Sequence, residues 1–213
     1  MNRTFRLYPE ERHWFSFNDY GAVLDAMAKL TAAGKPIARV LEFGPGSSTL
    51  ALIEGCATTI DTCEDDPVWA TTYEERLQAV YPQIVRVRRY IWAHPLSVPG
   101  VDGQRYDLAL IDGPLGSDRR ADVLRYCLDR CDAVLLPTED RNRKVREAIV
   151  SIAAERGLVA DIWETGPLSG GFALLTRHVQ PSELVTPTVE IQTPELPKLN
   201  RRARRAKVKA DGQ

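Results

Sequence analysis

From about residue 37 to residue 177, short runs of β-branched and aliphatic residues alternate with stretches whose apolar positions recur every three or four residues. The first pattern suits buried strands and the second amphipathic helices, so the body reads as an α/β protein on a largely parallel sheet. Ahead of it, residues 18–33 place Val23, Leu24, Met27 and Leu30 on one helical face, with Asn18 or Asp19 as N-cap and Gly34 just past the end. Strands are expected at 37–43, 58–64, 84–90, 106–112 and 132–138. Helices are expected at 48–54, 68–80, 118–130 and 140–156, the second capped by Asp66 with Pro67 at its first position.

The pattern changes at the end of the body. LVADIW (158–163) and FALLT (172–176) are both strand-like, yet only eight residues separate them. A parallel pair needs a crossover of a dozen or more residues, so these two should be antiparallel neighbours. The expected fold is therefore Rossmann-like: a seven-stranded, mostly parallel sheet with helices on both faces and an antiparallel terminal hairpin.

Composition sets the boundaries. Residues 179–197 hold four prolines and no apolar period, which argues against a packed element there. The last sixteen residues then carry Lys198, Arg201, Arg202, Arg204, Arg205, Lys207 and Lys209 against a single acid, Asp211. The overall charge of −1 thus hides an acidic body, 21 bases and 28 acids giving −7, joined to a basic end. Three parts are expected: a helical segment at 1–36, an α/β domain at 37–177, and a disordered Pro-rich and basic tail at 178–213. The cluster in 198–213 suits nucleic acid or an acidic partner, or serves only as a solubilising end. No run approaches the roughly 20 apolar residues of a membrane span, and Arg3, Arg6, Glu10, Glu11 and Arg12 are not backed by an apolar leader core. A cytoplasmic protein without membrane contact is the expectation.

The most informative stretch is VLEFGPGSSTLAL (40–52), where a strand ending in Glu42 runs through Gly44-Pro45-Gly46 into a helix opened by Ser47, Ser48 and Thr49. Glycines let backbone approach a ligand closely, and a helix N-terminus presents unpaired N–H groups. The next strand ends in Cys63-Glu64-Asp65-Asp66, and Glu64 follows Gly44 by twenty residues. An acid there can accept from ribose hydroxyls, so turn and acid together imply an adenosine-containing ligand. A dinucleotide would want a small residue where Thr49 stands, and Glu42 would repel a pyrophosphate. A carboxylate in that place suits a cationic ligand, and S-adenosylmethionine carries an ammonium and a sulfonium.

LEFGPGSST, TCEDDPVW and YDLALIDGP resemble, in order and spacing, the successive motifs of the class I S-adenosylmethionine-dependent methyltransferases. The resemblance covers roughly residues 37–177, implies that they form a Rossmann-like cofactor-binding domain with the strand order 3-2-1-4-5-7-6, and implies a lid role for the segment 1–36. It also implies that Glu42, Gly44 and Gly46, with Ser47, line the methionine moiety. Glu64 would hold the ribose beside Asp65, and the residues after the third strand, Tyr90 and Ile91, would lie near the adenine.

Asp112 ends the fourth strand, where the resemblance puts the transferable methyl group. Asp112-Gly113-Pro114-Leu115 matches neither the D/N-P-P-Y/F of base N-methyltransferases nor the Pro-Cys of cytosine C5 enzymes, and resembles the small-molecule O-methyltransferase branch. Asp112 or His94 would serve as general base toward an oxygen or nitrogen of a small-molecule acceptor. No resident metal is expected. The residues that would suit Mg²⁺ or Ca²⁺ if one were used are Asp112, Glu139, Asp140 and Asn142. The four cysteines, without a C-x₂-C pair or nearby histidine, read as core thiols. Two other readings stay open at this stage: a non-catalytic S-adenosylmethionine- or nucleic-acid-binding protein on the same fold, and an NAD-dependent oxidoreductase using the same glycine turn.

Overall fold

The computed structural model describes residues 17–113, 117–138, 143–166 and 170–177. The element order is α1 (Phe17–Ala32), β1 (Arg39–Phe43), α2 (Ser47–Glu54), β2 (Thr59–Glu64), α3 (Pro67–Tyr73), a π turn (Glu74–Gln78), β3 (Val85–Arg89), β4 (Tyr106–Ile111), α4 (Ser117–Leu128), β5 (Cys131–Pro137), α5 (Arg143–Glu155), β6 (Leu158–Gly166) and β7 (Gly170–Arg177). Asn18 and Asp19 fall inside α1. Gly34 does close that helix, with φ +72° and its N–H donating to the Thr31 carbonyl. The expected single helix over 68–80 is instead a short α-helix continued by the π turn, a feature that the apolar period does not reveal.

The seven strands form one sheet in the order β3-β2-β1-β4-β5-β7-β6. β1 to β5 are mutually parallel, and β7 is antiparallel to both β5 and β6. Side chains alternate between two covered faces, which is why the central strands read as continuous apolar runs. Leu41, Phe43, Ala109, Ile111, Val134 and Leu136 pack toward α4 and α5. Val40, Leu108, Leu110, Ala133 and Leu135 pack toward α1 and α2. Val23, Met27 and Leu30 of α1 belong to that second core, so the helix of the N-terminal segment packs into the body.

The approach of α1 to the end of α2 is set by Gly55. A Cβ there would lie 2.3 Å from Met27 Sδ, so glycine serves close packing at this position. The left-handed residue that ends α2 is Cys56, at φ 73°. Cys56 is exposed, unlike the buried Cys63, Cys127 and Cys131, so the expectation of core thiols is corrected for it. Among the described residues no helix is long and apolar enough to cross a membrane. Residues 1–16 and the tail 178–213 lie outside the described residues.

Candidate functional site

The glycine turn sits where the strand order reverses. β1 lies between β2 and β4, and the connection from β3 to β4 crosses over it, which in open α/β sheets opens a crevice at the carboxyl ends of the strands. A cleft of about 540 Å³ lies there, a volume suited to a nucleoside-sized ligand. Gly44 and Pro45 line it from the end of β1, Glu64 and Asp65 from β2, Tyr90 from β3, and Asp112 and Gly113 from β4.

The floor is made of backbone. Both Asp112 and Gly113 donate their N–H to the Phe43 carbonyl at 2.8 Å, drawing the ends of β1 and β4 together. Gly44 has φ +84°, and a Cβ on it would lie 2.6 Å from the Gly113 nitrogen. Gly46, by contrast, has φ 177°, extended backbone open to any residue.

Glu42 is fully buried beneath this turn and does not line the cleft. Its two carboxyl oxygens accept hydrogen bonds from the Ser48 and Thr49 hydroxyls, each at 2.7 Å. Thr49 Oγ1 in turn accepts the Gly46 N–H at 3.0 Å. Thr49 is therefore the strut between a buried acid and the glycine turn, a use that explains a β-branched residue at this point of the helix. Burial pushes the Glu42 carboxyl up from 4.5 to about 7, against the lowering effect of these hydrogen bonds.

Glu64 ends β2 half-buried, with Oε1 accepting the Asp66 N–H at 3.0 Å. Asp66 caps α3 by accepting from Val68 and Trp69 N–H, as its place before Pro67 predicts. Desolvation raises the Glu64 carboxyl, with the neighbouring Asp65 adding to it, although the hydrogen bond from Asp66 opposes the shift. Tyr90 is buried edge-on against Phe43, with ring centroids 5.6 Å apart. Ile91 follows it but is 87% exposed and lies outside the lining.

His94 does not meet the cleft either. It is an exposed side chain whose Nδ1 lies 3.4 Å from Asp122 Oδ2 on α4. Asp112 is thus the catalytic candidate that the fold brings to the cleft, and Arg120 of α4 donates from Nη2 to its carbonyl at 3.0 Å. Of the residues suited to a metal, Glu139, Asp140 and Asn142 lie outside the described residues, and no metal-ligand cluster occurs among the described ones.

Sequence reasoning missed Trp69 and Arg119 as cleft residues. The available signal for Arg119 was a pair of arginines in the first turn of a helix, where cations are electrostatically misplaced. Glu64, Asp65, Asp66 and Asp112 surround the cleft, and Arg119 is the one basic residue among its described lining. Acid-dominated walls with a backbone floor fit a positively charged nucleoside derivative and oppose a pyrophosphate.

The chain carries the fold of the class I S-adenosylmethionine-dependent methyltransferases. An amino pentose methyltransferase of calicheamicin biosynthesis from Micromonospora echinaspora, solved with bound S-adenosylmethionine, superposes with a TM-score of 0.60 at 12% identity over 84% of this chain and 99% of its own. Magnesium protoporphyrin IX methyltransferase from Synechocystis, also with S-adenosylmethionine, gives 0.57 at 14% identity over 82% and 86%. An O-methyltransferase from Bacillus cereus in complex with S-adenosylhomocysteine gives 0.55 at 16% identity over 82% and 84%. No protein-family model matches the sequence, and no curated protein matches it in sequence. The methyltransferase-type order, with β7 inserted antiparallel between β5 and β6, differs from the 3-2-1-4-5-6 order of dinucleotide-binding sheets.

Proposed function

We propose that this chain is an S-adenosylmethionine-dependent methyltransferase acting on an oxygen or nitrogen of a small-molecule acceptor. The observation that carries this reading is that Gly44, Glu64 and Asp112, from three different strands, line one acid-walled cleft at the switch point of the sheet. The solved structures with the same fold that hold S-adenosylmethionine or S-adenosylhomocysteine support the choice of cofactor. Once bound, S-adenosylmethionine supplies an electrophilic methyl group on a sulfonium sulfur.

The roles of the residues follow from their places. The Glu64 carboxylate accepts from the ribose hydroxyls, and Asp65 and Tyr90 flank the adenine. Gly44 and Gly113 keep the floor free of side chains for the methionine end. Asp112 accepts the proton of an acceptor hydroxyl on its carboxylate and orients the oxygen for in-line attack. A nucleic-acid base is disfavoured as acceptor because Asp112-Gly113-Pro114-Leu115 departs from the base-methylating motifs, and the resemblance of this stretch to the small-molecule O-methyltransferase branch supports oxygen.

Calorimetric titration with S-adenosylmethionine, S-adenosylhomocysteine and NADH tests the cofactor. Micromolar binding of the first two and none of NADH is expected. Transfer of labelled methyl to a panel of small hydroxyl and amine compounds then tests the acceptor class. Binding of NADH instead, or of none of the three, overturns the reading. Binding without transfer to any acceptor favours a non-catalytic cofactor-binding protein.

A further inference from the structure

Arg119 and Arg120 are the third and fourth residues of α4. The N-terminal turn of a helix carries partial positive charge, so two adjacent cations there work against helix stability. Arg120 has a structural use: it is buried and donates to the Asp112 carbonyl. Arg119 reaches across the cleft instead. Its guanidinium carbon lies 5.2 Å from the centroid of the Trp92 ring, and Nη1 lies 3.6 Å from Asp65 Oδ2. Asp65 stands on the β2 rim of the cleft and Arg119 on the α4 rim, so the ion pair spans the opening.

The side chains of this pair are 50% and 26% exposed, a setting in which an ion pair adds little to stability. Its placement is better accounted for by what it covers. Asp65 directly follows Glu64 at the end of β2, and Tyr90 follows the neighbouring β3, whereas Gly44 and Asp112 follow β1 and β4 on the other side of the strand order. A guanidinium offers a flat face to a purine and a rigid fork of donors to ring nitrogens and ribose oxygens, which an ammonium does not.

We propose that Arg119 is a clasp over the nucleoside end of the cleft, retaining the adenosine moiety of S-adenosyl ligands, with Asp65 and Trp92 holding the guanidinium in place. The inference rests on the cofactor reading given under Proposed function. Because the clasp must part before a bound nucleoside can leave, its removal acts mainly on dissociation.

The test compares full-length wild type, Arg119→Ala, Arg119→Lys and Asp65→Asn by calorimetry and stopped-flow tryptophan fluorescence. The probes are S-adenosylhomocysteine and 5′-methylthioadenosine, which lacks the amino-acid end. Arg119→Ala should weaken both ligands by about tenfold, the scale of one lost charge-assisted contact, chiefly through faster release and with an unchanged melting temperature. Arg119→Lys should recover only part of the loss, and Asp65→Asn should move affinity in the same direction by less. Should Arg119→Ala not fold, the Lys and Asn variants carry the same comparison. Wild-type affinity in the variants overturns the clasp, as does a loss confined to S-adenosylhomocysteine, which would put Arg119 at the amino-acid end. If wild type binds neither ligand, the cofactor reading itself falls and the clasp with it.

Discussion

Gly44 and Gly113 meet backbone to backbone, and a Cβ placed on Gly44 would lie 2.6 Å from the Gly113 nitrogen. The reverse contact is looser, since a Cβ on Gly113 would lie 3.2 Å from the Gly44 Cα. Gly44 also has a positive φ, which Gly113 does not. The two glycines are therefore unequal, although both stand at strand ends facing one cleft.

Gly44→Ala is expected to destabilise the fold by roughly 1–3 kcal/mol, the range for a strained backbone position, and to abolish S-adenosylhomocysteine binding by parting β1 from β4. Gly113→Ala should cost less on both counts. Urea denaturation and calorimetry of the two variants decide the order, and a more damaging Gly113→Ala would contradict this account of the floor.

Glu64→Gln should leave the fold intact, because the Asp66 N–H can still donate to the amide oxygen. Binding of S-adenosylhomocysteine should weaken by about a hundredfold through the loss of charge-assisted bonds to the ribose. The carboxylate form is the one that binds, and its raised pKa means that affinity fades at a higher pH than for an ordinary glutamate as the solution is acidified. Unchanged affinity in the variant would remove Glu64 from the ribose role.

Glu42 makes stability depend on pH. Its carboxyl ionises near 4.5 when unfolded and at about 7 when folded, so the folded state keeps a proton that the unfolded chain releases. The corresponding stability is fully present below pH 4.5 and is lost as pH rises through about 7. The loss across this window is up to roughly 3 kcal/mol. Glu42→Gln can still pair with the Ser48 and Thr49 hydroxyls but has no proton to lose, so its stability relative to wild type should rise over the same interval. Urea midpoints measured across the interval check this, and a constant difference between the two proteins would rule it out.

The basic cluster at 198–213 is proposed to bind nucleic acid or another polyanion. Its seven bases set an upper limit of about −5 on the slope of log affinity against log salt for single-stranded RNA. Deleting 198–213 should abolish this binding in electrophoretic shift assays and leave S-adenosylhomocysteine affinity unchanged. Salt-insensitive binding, or binding that survives the deletion, would exclude the tail as the contact.

Much of the architecture was legible in the sequence because the features that specify it are local. A period of two or of three to four residues declares each element without reference to its neighbours. The eight-residue gap before FALLT excludes a crossover by length alone, and Asp66-Pro67 announces a helix start through cap chemistry and a fixed φ. The π turn after Tyr73 escaped because it leaves the apolar pattern intact while shifting the hydrogen bonds.

The sequence alone determined the order of the strands along the chain, the antiparallel closing pair, the glycine turn and the acid at the end of β2, since each depends on residues close together in the chain. Only the tertiary structure decided what those residues touch. It buried Glu42 under the hydroxyls of Ser48 and Thr49, pressed Gly44 against Gly113 from a strand nearly seventy residues away, and left His94 and Ile91 outside the cleft. It also carried Arg119 across to Asp65. Desolvation and contact between distant segments are properties of the packed chain, and no spacing in the sequence encodes them directly.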